Sequence, residues 1–140
     1  MRYLYPVLLQ QEAEGGFVAT LPDVPEALTS GETREDALLE ATDALVVALG
    51  GYVEAKRSIP TPTKPRPGQP VVALPVLIAA KLALYTAMCQ QGVTNVALAR
   101  ELGVSETVVR RLVHPDYQSQ IQKVEHALAV LGTHLIVEAA

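Results

Sequence analysis

The apolar positions keep two different rhythms. In the first thirty or so residues they come in short runs, at 3–9, 17–21 and 27–29, separated by a polar stretch ending in Gly15-Gly16 and by Pro22-Asp23-Val24-Pro25. Short apolar runs bounded by glycine and proline predict strands, the first two joined as a β-hairpin. From Thr33 the rhythm becomes helical. Ala37, Leu38, Ala41, Leu45, Ala48 and Leu49 recur on one face until Gly50-Gly51, and Thr33 with Asp36 reads as a capping box. That helix is expected to pack on the strands.

Residues 58–70, SIPTPTKPRPGQP, alternate five prolines with polar residues, which excludes both a helix and a central strand and predicts a semi-rigid linker. The expected organisation is therefore an N-terminal domain at 1–57, the linker, and a C-terminal domain at 71–140. Residues 71–74 read as an edge strand for the front sheet or for a second chain. Everything after that reads as helix until 133–137, whose alternation suggests a last strand. Pro75 suits the first turn of a helix through Leu82, Leu84, Tyr85 and Met88 to Gly92, and a final helix at 120–131 is expected to be N-capped by Ser119 and stopped by Gly132.

Between those helices lies the most informative stretch, TNVALARELGVSETVVRRL at 94–112. Thr94 suits the N-cap of one helix and Ser105 that of a second, and Gly103 supplies the left-handed residue that ends the first. Val96, Leu98, Ala99 and Leu102, then Val104, Val109 and Leu112, fall at helical intervals and are expected to fix the crossing. This pattern resembles a helix-turn-helix whose second helix reads DNA. The residues expected at base edges and phosphates are Thr94, Ser105, Glu106, Thr107, Arg110 and Arg111, with His114 at the helix end.

Charge sharpens the division. The net charge is −4, but residues 1–60 hold ten acids against four bases, −6, while the remainder has five acids against seven bases, +2. An acidic front suits a basic partner and the basic back suits DNA. Both parts are small for a self-sufficient core, so a homodimer or dimer of dimers is expected, paired through residues 120–137. The lone Cys89 cannot form an internal disulfide and is expected to be buried beside Met88. No secretory signal is recognisable, and the apolar run 71–89 is interrupted by Pro75 and Lys81, so a soluble cytoplasmic protein is expected.

Taken in order, GGFVATLPDVPEALTSGETREDALLEATDAL, PVLIAAKLALYTAM, NVALARELGVSETVVRRLV and HALAVLG resemble the HicB antitoxins of HicA/HicB toxin–antitoxin modules, over nearly the whole chain. The resemblance implies an α+β fold: a partial RNase-H-like β-β-β-α-β domain followed by an all-helical helix-turn-helix domain. It also implies inhibition of a HicA-type mRNA-cleaving RNase toxin and repression of the chain's own operon. The toxin contact is expected at Phe17, Leu21, Pro22, Asp23 and Val24. One departure stands at Pro25-Glu26-Ala27, where many members read Pro-Gly-Cys and a glutamate resists turns open to glycine.

An RNase-H-like arrangement raises the question of metal-dependent catalysis. Such nucleases need carboxylates converging from strand centres, yet the runs 3–9 and 17–21 hold none. Asp23, Glu35, Asp36, Glu40 and Asp43 read instead as turn and helix-face residues. His114, His126 and His134 are not spaced as a zinc site, and neither a nucleophile motif nor a phosphate loop is present. No enzyme, catalytic residue, metal or cofactor is expected. The alternatives are a stand-alone repressor whose front domain senses a small molecule and, less favoured, the RNase-H-like enzyme.

Overall fold

A computed structural model describes residues 1–140, an α+β chain that divides into two compact units. The first comprises residues 1–51 and 60–74, the second 52–59 and 75–140.

The first unit holds β1 (Leu4–Pro6), β2 (Leu8–Gln11), β3 (Phe17–Thr20), β4 (Leu28–Gly31), most of α1 (Arg34–Glu54), and β5 (Val71–Ala73). The run expected as one strand at 3–9 is split at Val7. Pro6 has no N–H to continue a ladder, and the Val7 N–H turns to the Pro70 carbonyl at 2.8 Å. β1 consequently pairs antiparallel with β5, while β2, β3 and β4 form a separate antiparallel sheet in that order. The expected edge strand at 71–74 thus joins the front of the same chain.

Strand alternation sets Leu9, Ala19 and Thr29 in one row across the three-stranded sheet, and Ala19 is fully buried. The Thr33 hydroxyl caps α1 by accepting from the Asp36 N–H at 3.1 Å. Between β4 and that cap, Gly31 lies so near the helix that a Cβ would sit 2.4 Å from the Ala37 nitrogen. Only glycine permits this approach. Ala37, Ala41, Leu45 and Leu49 of α1 are fully buried. α1 does not stop at Gly50-Gly51 as the pattern suggested but continues to Glu54, because Tyr52 and Val53 bury themselves in its last turn and offset the helix-weakening glycines.

The proline-rich segment is not a free tether. The buried Tyr5 donates its hydroxyl proton to the Pro60 carbonyl at 2.7 Å, and the Asp23 carboxylate accepts from the N–H and hydroxyl of Thr63 at 2.9 and 3.2 Å. The departure at Glu26 needs no left-handed backbone. The turn closes through the Ala27 N–H on the Val24 carbonyl at 2.9 Å, and Lys56 is the one non-glycine residue with positive φ.

The second unit contains α2 (Val76–Gln91), α3 (Asn95–Leu102), α4 (Glu106–Val113), α5 (Ile121–Val130) and the last turn of α1. Leu82 and Leu84 of α2, Leu98 of α3, Val109 of α4 and Val124, Ala127 and Leu128 of α5 are fully buried. Tyr85 fastens the α1 end by donating to the Arg57 carbonyl at 2.8 Å.

Cys89 is exposed, since it lies one position beyond the buried Met88 and rotates off the core face. Val96 and Val104 are also exposed, leaving Leu98, Ala99, Val109 and Leu112 to hold the crossing. α5 begins after Gln120 with no side-chain cap, so Ser119 is not its N-cap. Residues 133–137 form no strand. The second unit contains no other strand, so this segment has nothing in its own unit to pair with.

Candidate functional site

α3 and α4 meet at a corner built by local chemistry. The Thr94 hydroxyl accepts from the Ala97 N–H at 3.0 Å, and Ser105 accepts from the Val108 N–H at 3.3 Å, so each helix start has an orphan donor satisfied. Gly103 closes α3 with φ of 69°, and the next N–H, that of Val104, returns to the Ala99 carbonyl at 3.0 Å. Thr94 and Ser105 are thereby engaged as caps. Glu106, Thr107, Arg110 and Arg111 share the outward side of α4. Arg110 lies 3.8 Å from the Glu106 carboxylate and 3.5 Å from the Thr107 hydroxyl. The Arg111 guanidinium stands 5.6 Å over the Tyr117 ring. Beside it runs a groove of about 460 Å³ lined by Val108, Arg111, Leu112, Gln118, Ser119, Gln120 and Lys123.

Behind that surface α4 is held from its C-terminal end. Lys81 of α2 is fully buried, and its ammonium donates to the Arg111 carbonyl at 2.7 Å and the His114 carbonyl at 3.0 Å. A cation at a helix C-terminus satisfies orphan carbonyls and opposes the negative end of the helix dipole. Burial pulls its pKa down from 10.5 to about 8. Composition had marked Lys81 only as an interruption of an apolar run. A single charge at a buried-phase position of a helix is the signal that singles it out.

His114 belongs to the same anchor. It is buried, so its ring is not the DNA contact expected for it. Its Nδ1 accepts from the Asp116 N–H at 3.1 Å, which leaves the proton on Nε2 to donate to Glu54 at 2.8 Å. Tyr117 packs edge-on against the ring at 5.5 Å. Glu54, His114 and Asp116 bring ligand-type atoms within 4.8 Å of one another, a grouping that the sequence spacing had concealed. Both ring nitrogens are already engaged, however, so a metal at either would break a bond that closes the helix end. The trio reads as structural.

In the first unit, the residues expected at the toxin contact separate by burial. Leu21 and Val24 are core residues, 1% and 0% exposed, and cannot serve as surface anchors without unfolding the turn. Phe17 is half-buried in the sheet, Asp23 is half-buried and engaged by Thr63, and Pro22 alone of the five is exposed. Alternation could not separate them, because the Pro22–Pro25 turn folds its apolar residues inward. Of the acids weighed for catalysis, Glu35, Asp36, Glu40 and Asp43 are all exposed along α1.

A family model described as the HicB-like antitoxin of a bacterial toxin–antitoxin system matches residues 4–83, more than half of the chain. The class is therefore that of antitoxins. Antitoxin HicB 2 of Photorhabdus laumondii is 43% identical over 131 residues, spanning 94% of this chain and 92% of that protein. Antitoxin HicB of Pseudomonas fluorescens is 39% identical, over 92% and 90% of the two chains. Antitoxin HicB of Escherichia coli K12 is 35% identical, over 94% and 95%. The chain belongs to the HicB-like antitoxin family.

Proposed function

We propose that the chain inhibits a HicA-type RNase toxin with its first unit and represses its own operon with its second. α3, Gly103 and α4 then act as a helix-turn-helix, and Glu106, Thr107, Arg110 and Arg111 read the operator. The observation that carries the DNA half is the corner itself: two side-chain-capped helices joined through one left-handed glycine, with both arginines of α4 on its exposed side. No single helix is long and apolar enough to cross a membrane. Both tasks are proposed to take place in the cytoplasm.

One corner reaches few phosphates, so two copies are proposed to pair through residues 120–137 and present two half-sites about 34 Å apart. The segment 133–137 is expected to find in the second copy the strand it lacks in its own unit. The deciding experiment is a gel shift on the chain's own promoter with an Arg110→Ala, Arg111→Ala double variant. A bidentate arginine–guanine contact is worth about 1–3 kcal/mol, so the double variant should bind at least tenfold more weakly. Wild-type operator affinity in the double variant would refute this recognition surface.

A further inference from the structure

We propose that the outer face of the β2-β3-β4 sheet is the surface on which the first unit receives the basic toxin, an inference that rests on the antitoxin reading above. The register sets Leu8, Thr20 and Leu28 side by side across the three strands, with Gln10, Val18 and Ser30 in the next row. Alternation sends these residues to the side opposite the buried Ala19, so they face outward. Leu8 is 54% and Leu28 63% exposed. Scattered exposed leucines need no explanation. Two aligned in one row about 10 Å apart, with Thr20 between them and half-buried Val18 adjoining, form a flat, uncharged and partly apolar centre on a hydrogen-bonded and hence preordered backbone.

The rim has the opposite character. Glu12 and Glu14 on the hairpin, Glu26 ahead of β4 and Glu32 behind it are exposed at the strand ends. Across the whole unit, nine acids against four bases leave a net charge of −5. An apolar centre ringed by carboxylates complements a basic protein, and a toxin that grips RNA phosphates must carry such a surface. The sheet face alone is smaller than the roughly 800 Å² that a stable complex buries on each partner, so the acidic rim is part of the contact.

The rival surface is the outer side of α1, where Leu39 and Val47 are 66% and 70% exposed. Asp43 lies midway between them at helical spacing, so docking there would desolvate a carboxylate at the centre of the contact. The sheet face has no charge at its centre.

The test uses the full chain and the small basic protein encoded beside its gene, measured by calorimetric titration. Leu8→Lys with Leu28→Lys should weaken binding about a hundredfold and the milder Leu8→Gln, Leu28→Gln pair about tenfold, with circular dichroism and operator binding unchanged. Leu39→Lys with Val47→Lys should stay within about threefold of the wild type. A wild-type chain that binds no such protein refutes the antitoxin reading itself. A wild-type chain that binds while both sheet pairs bind equally well overturns only the assigned face, as does loss of binding in the α1 pair. A sheet pair that lowers the mass of the free chain in light scattering shows the face pairing two copies, and also overturns it.

Discussion

Replacing Lys81 by methionine keeps the volume of the stem and removes the charge that holds the end of α4. The ammonium makes two bonds, at 2.7 and 3.0 Å, to the Arg111 and His114 carbonyls. Leaving those carbonyls without a partner costs about 1–3 kcal/mol each. Against that stands the desolvation of the charge. A fall in pKa from 10.5 to about 8 corresponds to roughly 3 kcal/mol at 1.36 kcal/mol per unit. The two effects nearly offset, so the variant should lie within about 3 kcal/mol of the wild type near pH 7. The pH dependence is more telling. Because the folded value lies below the unfolded one, the folded chain releases this proton first. Between about pH 8 and 10.5 the unfolded state holds more protons, so stability rises with pH. From pH 7 to 9.5 the linkage amounts to about 2 kcal/mol of added stability in the wild type, and none of it is available to methionine. Urea unfolding followed by the helical signal, with both proteins measured across that range, reads the difference directly. A gap between them that stays flat from pH 7 to 9.5 would refute the buried, titrating cap.

The approach of β4 to α1 makes Gly31→Ala a sharp test of the first unit. Its added Cβ would meet backbone at 2.4 Å rather than a movable side chain, so a loss of about 2 kcal/mol or more in urea unfolding is expected, and a neutral result would contradict the packing described. A chain ending at Gly132, which keeps the buried α5 residues Val124, Ala127 and Leu128, should scatter light as a monomer and bind the operator more weakly, while a truncated chain that still dimerises would show that pairing does not need residues 133–137.

The parts legible in the sequence are those that local chemistry determines. Thr33, Thr94 and Ser105 cap because a hydroxyl ahead of a helical apolar phase has a backbone N–H within reach, and each makes that bond. The family likeness was legible too, because its motifs run through both units. Contacts between distant segments were not. Nothing near Lys81 in sequence announces that it caps α4, thirty residues on, and the bond from His114 to Glu54 spans sixty. Leu21 and Val24 show the same limit in an apolar setting. A turn residue and an exposed anchor have the same composition, and only closure of the turn by the Val24 N–H on the Leu21 carbonyl at 2.9 Å accompanies their burial. The segment 133–137 marks a third kind of limit, since strand propensity yields a strand only where another strand can pair with it.

Charge segregation ties the two proposed tasks to one chain. A protein spread evenly with its net charge of −4 would repel phosphate everywhere and attract a basic partner only weakly. Gathering nine acids against four bases in the first unit leaves the second with six acids and seven bases, near neutrality. On that neutral background local arrangement decides the field, because exposed charges beyond about 10 Å are largely screened at ordinary salt. Arg111 and Lys123 line the same groove, with Arg110 one position from Arg111 on α4. Lys81, by contrast, is buried and hydrogen-bonded to two carbonyls behind α4, so it offers that surface no exposed ammonium. The positive field proposed to meet DNA thus comes from a few exposed side chains. That is why the position of α4, and the buried cation that fixes its end, matter more here than total charge.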